Sequence, residues 1–392
     1  MKNILVVNTS PEINKPFNEI FKELLNKGYS FYFLTSQPEF LNEIIKEEWP
    51  VKKVNFGPDI NKRSNLIFFI ILLPIFFLYY FYFLLLIKKK QKIKTVILIN
   101  WNEKIIISPL ARILKLKIIW FEEPQITYKS KSVLLLKLYK IAARSVHLVS
   151  FIDFTAWQLK SIGINKKQII FIPLGIRLNH YTRQENIFSS IVKSGQTKFS
   201  QKYFTIGTVV DIKRASLIEN LFQVGKTCLT VIPNLQIIVV AEGGKKDSLA
   251  EPMKKLNWLA KKMEINNIVW FVSEPAENSP IVQLRKWLDS FNIFVITCPE
   301  AKLNDLAITL KVMAAGLPII GPRNAGFEDL IIDKQTGILI EANNNEVLAR
   351  QIITLYKDKR LQKNLASKAE EKVKNNFQLE MSVKKFEHIL NK

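Results

Sequence analysis

Short apolar runs alternate with segments of helical periodicity along most of this chain, and this alternation restricts its fold more than any other feature. A strand-like run at residues 3–7 is followed by apolar residues at helical spacing from Phe17 to Leu25, and then by a second strand-like run at residues 31–34. Gly28 is a predicted C-cap between the helix and the second strand. Strands that alternate with helices predict an α/β protein with a parallel, doubly wound sheet.

The alternation continues to residue 173 and resumes at residue 204, whereas the sequence between about 178 and 200 is polar and aperiodic. We therefore expect two Rossmann-like doubly wound domains facing a central cleft, where strand ends and helix N-termini can hold a ligand. The predicted parts are an N-terminal domain at 1–185, a C-terminal domain at 200–375 and a C-terminal helix at 376–392. Further predicted strands are 96–99, 117–121, 147–151, 169–173, 236–240, 269–272 and 293–296, and further predicted helices are 109–114, 133–143, 155–162, 252–263, 281–291 and 306–315.

An apolar segment interrupts the first half of the chain, because residues 66–87 include no charged side chain. At about 1.5 Å per residue, a helix of this length would reach about 33 Å, which is enough to cross a bilayer. Lys62 and Arg63 precede the segment, and a lysine cluster follows it: Lys88, Lys89, Lys90, Lys92 and Lys94. Positive charge at both ends is typical of a segment whose two ends are cytoplasmic.

A single membrane span would separate the strands at 3–7 and 96–99, which should belong to one sheet. Pro74, near the middle of the segment, favours a kinked helix or a helical hairpin that enters the membrane and returns. We therefore expect monotopic or re-entrant attachment to the cytoplasmic face of the cell membrane through residues 66–87. A helix buried in the first domain and a true single span are the alternatives.

The formal net charge is +23, which suits nucleic acid, an anionic membrane or an acidic substrate. The lysines are spread over the whole chain without the aromatic and basic modules of common nucleic-acid folds, so no nucleic-acid partner is expected. Cys228 and Cys298 are far apart, and the three histidines are scattered, so neither a disulfide framework nor a metal site is expected. The N-terminal apolar run is too short for a signal peptide.

The stretch from Thr297 to Glu328 carries the clearest local signals. Asn304 and Asp305 form a predicted N-cap pair for a helix that starts near Leu306 and ends at Gly316. A helix that starts at a cleft offers free backbone N–H groups and a positive dipole end to a phosphate. The same strand, loop and helix also occur in many proteins without any ligand.

Three motifs, MAAGLPII at 313–320, NAGFEDLI at 324–331 and DKQTGILI at 333–340, resemble in order and spacing the C-terminal half of family 4 glycosyltransferases. The segments at 147–176 and 206–221 are similar to other parts of that family. The resemblance implies the GT-B fold and retaining transfer of a sugar from a UDP- or GDP-linked donor, without an obligatory metal or other cofactor.

The resemblance also implies which residues bind the donor. Negative charge grows on the departing diphosphate, so cations are needed beside it. Lys213 stands at the family's lysine position, and Thr208 occupies the position of its arginine, for which Arg214 or Lys245 could substitute. The implied substrate-binding residues are Gly207, Thr208, Arg214, Gly243, Gly244, Lys245, Lys311, Gly326, Phe327 and Glu328.

Two glutamates that the family places with seven residues between them are replaced by Leu303 and Lys311. Leucine cannot accept the hydrogen bonds of sugar hydroxyls, and lysine only donates. Glu300 and Asp305 are close enough in sequence to supply a carboxylate, so the predicted catalytic residues are Lys213, Glu300 and Asp305.

On the acceptor side, Glu122 and Glu123 follow a predicted strand, either as a base or as an exposed strand end. The sequence thus predicts a hexosyl-type transferase acting on a lipid-linked or cell-surface glycan, with an anionic membrane surface as a further partner. A catalytically inactive GT-B protein that scaffolds a glycan-assembly complex is the alternative.

Overall fold

The computed structural model describes residues 2–9, 15–54, 63–126, 133–181, 203–211, 214, 217–242, 246–273 and 280–391. Within these residues the chain divides into two compact units. The first consists mainly of residues up to 175 together with the C-terminal helix, and the second mainly of residues 176–378. Each unit contains one parallel sheet with helices, so the predicted α/β class is confirmed. The predicted boundaries at 185 and 200 lie outside the described residues.

The first sheet has seven described strands, all paired in parallel in the order β3-β2-β1-β4-β5-β6-β7. The strands at 3–7 and 96–99 were predicted to share a sheet, and they are neighbours in it, with Ile4 opposite Thr95. Chain order reverses between β1 and β4, which is the switch point where a doubly wound sheet opens a crevice. The strands are β1 Lys2–Val7, β2 Tyr29–Thr35, β3 Val51–Lys53, β4 Ile93–Leu98, β5 Lys117–Phe121, β6 His147–Ser150 and β7 Ile169–Phe171.

The helices of the first unit cover the sheet and close its core. Trp120 and Tyr139 are fully buried, and their rings are 4.9 Å apart. The C-terminal helix returns to this unit, where the Glu387 carboxylate lies 2.8 Å from the Lys27 ammonium. The helices are α1 Lys15–Asn26, α2 Pro38–Lys46, α3 Arg63–Gln91, α4 Trp101–Ile113, α5 Val133–Ala142, α6 Asp153–Ser161 and the C-terminal α14 Leu379–Asn391.

The apolar segment forms one continuous helix, α3, with Pro74 inside it, so of the two predicted forms the single helix is observed and the helical hairpin is not. Among the described residues, Ile71–Gln91 is long and apolar enough to cross a membrane by length and composition. One face of this stretch is nevertheless buried in the core of the first unit, with Tyr80 and Leu84 fully covered. The opposite face is exposed, so α3 belongs to the first unit by packing.

The second sheet has six described strands in the order β10-β9-β8-β11-β12-β13, again all parallel. Its switch point lies between β8 and β11, so the loops that follow these two strands leave the sheet side by side. The strands are β8 Phe204–Asp211, β9 Leu235–Glu242, β10 Val269–Ser273, β11 Ile293–Val295, β12 Ile319–Pro322 and β13 Ile338–Ile340. The helices are α7 Glu219–Leu229, α8 Lys246–Lys262, α9 Pro280–Ser290, α10 Leu303–Ala314, α11 Ala325–Leu330, α12 Asn345–Lys357 and α13 Lys359–Asn376.

Candidate functional site

Three of the predicted residues meet at the switch point of the second sheet. Arg214 follows β8, and its Nη1 donates to the Asp305 carboxylate at 2.8 Å, while its Nη2 donates to the Glu300 backbone carbonyl at 3.2 Å. The side chains of Arg214 and Asp305 are 19% and 17% exposed. The pair therefore links the loops after β8 and β11 and stays accessible to a small solute.

Asp305 lies in the first turn of α10, because this helix begins at Leu303. The predicted N-cap pair was wrong in this respect, since Asn304 and Asp305 are already helical. A carboxylate in the first turn interacts favourably with the positive end of the helix dipole. The buried Cys298 thiol lies close to Asp305, and its pKa is raised by burial and then by the Asp305 charge. Cys298 is thus a neutral neighbour of the Arg214–Asp305 pair.

Asn324, which the sequence did not single out, holds this loop to the start of α11. Its Oδ1 accepts from the backbone N–H groups of Gly326 and Phe327 at 3.0 and 3.2 Å, and its Nδ2 donates to the Pro299 carbonyl at 2.8 Å. An asparagine before a short helix is a recognised N-cap signal, so the residue was readable from the sequence. The cap fixes the loop that carries Glu300.

The motif around Gly326 is held by packing. A Cβ at Gly326 would lie 2.6 Å from the Ala301 Cβ, and the Phe327 side chain is fully buried. The Glu328 carboxylate is half-exposed and lies 3.5 Å from the Arg323 guanidinium. Of these three predicted substrate-binding residues, only Glu328 presents a side chain at the surface.

Two predicted residues lie on β8 before the switch point. A Cβ at Gly207 would lie 2.1 Å from the Phe291 ring, so close packing accounts for the glycine. The Thr208 side chain is fully buried, and its hydroxyl has no hydrogen-bond partner within the part of the chain that the structure describes. Thr208, which the resemblance placed at the family's arginine position, is therefore a core residue.

Lys311 lies further along α10 than Asp305. Its ammonium is 5.5 Å from the centre of the Tyr181 ring, which is a cation–π distance. Lys213, Gly243, Gly244 and Lys245 lie outside the described residues, so their predicted roles stay predictions. Among the described residues, no group of three or more His, Cys, Asp or Glu could hold a metal ion.

A small, open depression lies beside the Glu300 loop, at the carboxyl ends of β11, β12 and β13. Apolar side chains such as Ile296 and Ile340 form part of its lining, and Asn220, Asn343 and Asn344 add amide groups. An apolar lining with a few polar groups is the usual composition of a small-molecule site.

The two glutamates predicted for the acceptor side, at the carboxyl end of β5, differ in burial. Glu122 is buried, and its carboxylate lies 3.0 Å from the equally buried Lys104 ammonium, so it is not an exposed strand end. Burial raises the pKa of Glu122, and the Lys104 charge opposes that rise. Glu123 is half-buried.

Glu103, next to Lys104, is a further buried carboxyl that the sequence did not single out. It accepts hydrogen bonds from the Thr9 N–H at 2.9 Å, the Thr9 hydroxyl at 3.0 Å and the Asn100 N–H at 2.6 Å. These contacts join the ends of β1 and β4 at the switch point of the first sheet. Burial raises the pKa of Glu103 to about 7, and the donated hydrogen bonds oppose the rise.

Comparisons with known proteins agree with this architecture. Residues 193–372 match the family model described as "Glycosyl transferases group 1". The N-acetyl-alpha-D-glucosaminyl L-malate synthase of Bacillus anthracis is 37% identical over 82 residues, which is 21% of this chain and 22% of that protein. The match thus spans about a fifth of this curated relative.

Solved structures are similar over the whole length. The crystal structure of Anabaena HepE in complex with UDP has a TM-score of 0.77 at 14% identity, with 100% of both chains covered. WaaG, a glycosyltransferase involved in lipopolysaccharide biosynthesis, has a TM-score of 0.66 at 14% identity, with 99% of both chains covered. The fold is therefore that of GT-B glycosyltransferases, as the resemblance implied.

Proposed function

We propose that this protein is a glycosyltransferase that moves a hexose-type unit from a nucleotide sugar to a lipid-linked or cell-surface glycan, with retention of configuration. The observation that carries the proposal is the family match over residues 193–372, which includes the switch point of the second sheet and its Arg214–Asp305 pair. The UDP bound to the similar HepE structure supports a nucleotide-sugar donor.

Arg214 is the described cation best suited to the departing diphosphate. It stands at the carboxyl end of β8, beside the N-terminus of α10, where backbone N–H groups and the helix dipole also favour an anion. Asp305 neutralises Arg214 when no ligand is bound, so an incoming diphosphate would exchange this carboxylate for its own oxygens. Lys213 would add a second cation, and Lys311 a third further along the helix.

The residues that we propose for the acceptor side lie in the first unit. Because Glu122 is fully buried beside Lys104 whereas Glu123 is only half-buried, we assign the role of candidate acceptor base to Glu123. The exposed face of α3 would bring the enzyme to the cytoplasmic face of a membrane, where a lipid-linked acceptor resides. The involvement of WaaG in lipopolysaccharide biosynthesis supports an acceptor of this class.

A catalytically inactive scaffold is the second candidate, and the residues at the family's two glutamate positions favour it. Leu303 and Lys311 cannot accept hydrogen bonds from the donor sugar and ribose. Asp305 is the carboxylate that α10 itself supplies, and it forms an ion pair with Arg214. The scaffold would keep the fold and lose nucleotide-sugar binding.

A thermal-shift screen against UDP, GDP and their common sugar conjugates tests the proposal, because a ligand that binds only the folded state raises its stability. We expect one nucleotide class to raise the melting temperature, and Arg214→Ala to weaken its binding about tenfold, or about 1.4 kcal/mol. Asp305→Asn should bind at least as tightly as the wild type, because it releases Arg214.

Arg350→Ala is the matched control, since Arg350 is an exposed arginine of the same unit that is paired with Glu346 at 2.9 Å. Its nucleotide binding should equal that of the wild type. Lys213→Ala should abolish sugar transfer, and transfer at the wild-type rate would show that the donor site is elsewhere. If no nucleotide shifts the wild-type protein, the scaffold is the better account.

A further inference from the structure

The outer face of α3 is apolar and exposed along most of the described helix. Leu78 is 75% exposed and Ile71 66%, which are unusual values for large apolar side chains in a folded domain. The exposed positions recur every three or four residues and so form one stripe, about 22 Å long at 1.5 Å per residue. The stripe consists of Ile71, Ile75, Leu78, Tyr79, Tyr82, Leu85 and Leu86.

The helix α5 adds a second exposed apolar stripe in the same layer. Val133, Leu134 and Ile141 are exposed, and Val133 is 71% accessible. The exposed Lys137 and Lys140 lie among them. Two apolar stripes in one helical layer make a broader surface than α3 alone provides.

The nearly buried helix α4 connects α3 and α5. The Lys88 ammonium at the end of α3 donates to the Leu114 carbonyl at 2.7 Å. The Arg112 guanidinium of α4 donates to the Ala142 carbonyl at the end of α5 at 3.1 Å. These bonds join the C-terminal ends of the three helices, and the exposed Ile113 lies at the same end.

The exposed charges of α3 and α5 have one sign. No Asp or Glu occurs between Asp59 and Glu103 or between Glu123 and Asp153, so α3 and α5 contain none. Basic residues cluster where the helices end, with Lys89, Lys90, Lys115 and Arg144 exposed. Apolar stripes bordered by lysine suit an anionic bilayer, because the lysine stems reach along the surface while their ammonium groups meet the headgroups.

We infer that the exposed face of α3 and α5, with the basic C-terminal ends of α3, α4 and α5, is a docking surface for a bilayer of anionic phospholipid. The helix α3 lies along the bilayer, since a span would withdraw Tyr80, Phe83 and Leu84 from the core of the first unit. Tyr79 and Tyr82 sit at headgroup depth. This inference deepens the membrane attachment of the proposed function and is independent of the donor site.

Co-sedimentation of the full chain with vesicles tests the surface. We expect binding to vesicles of equal parts phosphatidylcholine and phosphatidylglycerol, and at least tenfold weaker binding to phosphatidylcholine alone. Leu78→Asp with Tyr82→Asp should reduce binding to the mixed vesicles by at least tenfold, because two charges would enter the apolar stripe. Trp258→Asp is the matched control, since Trp258 is an exposed aromatic residue of the second unit, and its binding should stay unchanged.

Val133→Asp with Ile141→Asp separates the three-helix surface from α3 alone. A loss of several-fold supports the wider surface, and wild-type binding by this variant would overturn the role of α5. The charge variant Lys89→Glu with Lys90→Glu should lose its preference for phosphatidylglycerol and keep its fold, as judged by circular dichroism.

Sedimentation equilibrium in vesicle-free buffer identifies a competing occupant of the surface. A wild-type dimer that Leu78→Asp makes monomeric, without vesicle binding, would show that a second copy covers this surface and would overturn the inference. Nucleotide-induced thermal shifts of the same variants report on the donor site separately. Failure of vesicle binding and failure of donor binding are therefore distinguishable.

Discussion

Polar side chains gather at the carboxyl end of each sheet, but they are partnered differently in the two units. In the first unit, Glu103, Lys104 and Glu122 are buried and bonded within the fold. In the second, Arg214 and Asp305 form a pair that solvent reaches. A buried network keeps its geometry because breaking it is costly, whereas an accessible pair can exchange partners with a ligand. The same fold thus places a structural assembly in one unit and a candidate binding site in the other.

The largest effect of this difference should come from Lys104. Replacing Lys104 with Met leaves the Glu122 carboxylate buried without its cation, which costs about 3–5 kcal/mol. We expect urea denaturation to show this loss in the free energy of unfolding. The double variant Lys104→Met, Glu122→Leu should recover at least half of it, because the unpaired charge is gone. If Lys104→Met alone lowered the unfolding free energy by less than about 1 kcal/mol, the Lys104–Glu122 pair would contribute no more than a surface ion pair. The two units would then not differ in how strongly their charged pairs stabilise the fold.

A smaller, pH-dependent effect is expected from Glu103. Its pKa is about 7 in the folded protein against an ordinary value of 4.5, so the folded state binds the proton more tightly. The stability that this group contributes is therefore complete below about pH 4.5 and is lost as the pH rises to about 7, by up to about 3 kcal/mol. Glu103→Gln cannot titrate, so the difference in unfolding free energy between wild type and variant should change across this window. A constant difference from pH 4.5 to pH 8 would contradict the raised pKa.

The first assembly was only partly visible in the sequence. The strand at 117–121 was predicted with its observed bounds, because four apolar and β-favouring residues follow Lys117 and end at a polar pair. The helix α4 was predicted from Pro109, yet it begins at Trp101 with Asn100 and Glu103 in a capping box, a spacing that the sequence carries. Pro109 is inside the helix, so reading it as a helix start misplaced the element.

The second assembly depended on contacts that no local pattern contains. Arg214 and Asp305 are 91 residues apart, and the parallel sheet brings them together. Both residues were predicted as substitutes for family residues that this chain lacks, but the sequence did not indicate that they pair. The motif positions Gly207 and Phe327 were assigned to substrate, although packing accounts for both, because a motif records structural and chemical constraints alike.

The smallest stability effect is expected from the Arg214–Asp305 pair. Arg214→Met should cost less than about 1 kcal/mol of unfolding free energy, because a solvent-accessible ion pair gains little over its hydration. Methionine replaces the cationic side chain in both Arg214→Met and Lys104→Met, so the two losses of unfolding free energy are directly comparable. A loss of unfolding free energy near that of Lys104→Met would mean that Arg214 stabilises the fold by joining the β8 and β11 loops. Breaking its pair with Asp305 to bind a diphosphate would then cost too much free energy for binding. A small cost combined with weakened nucleotide binding assigns Arg214 to the ligand rather than to the fold.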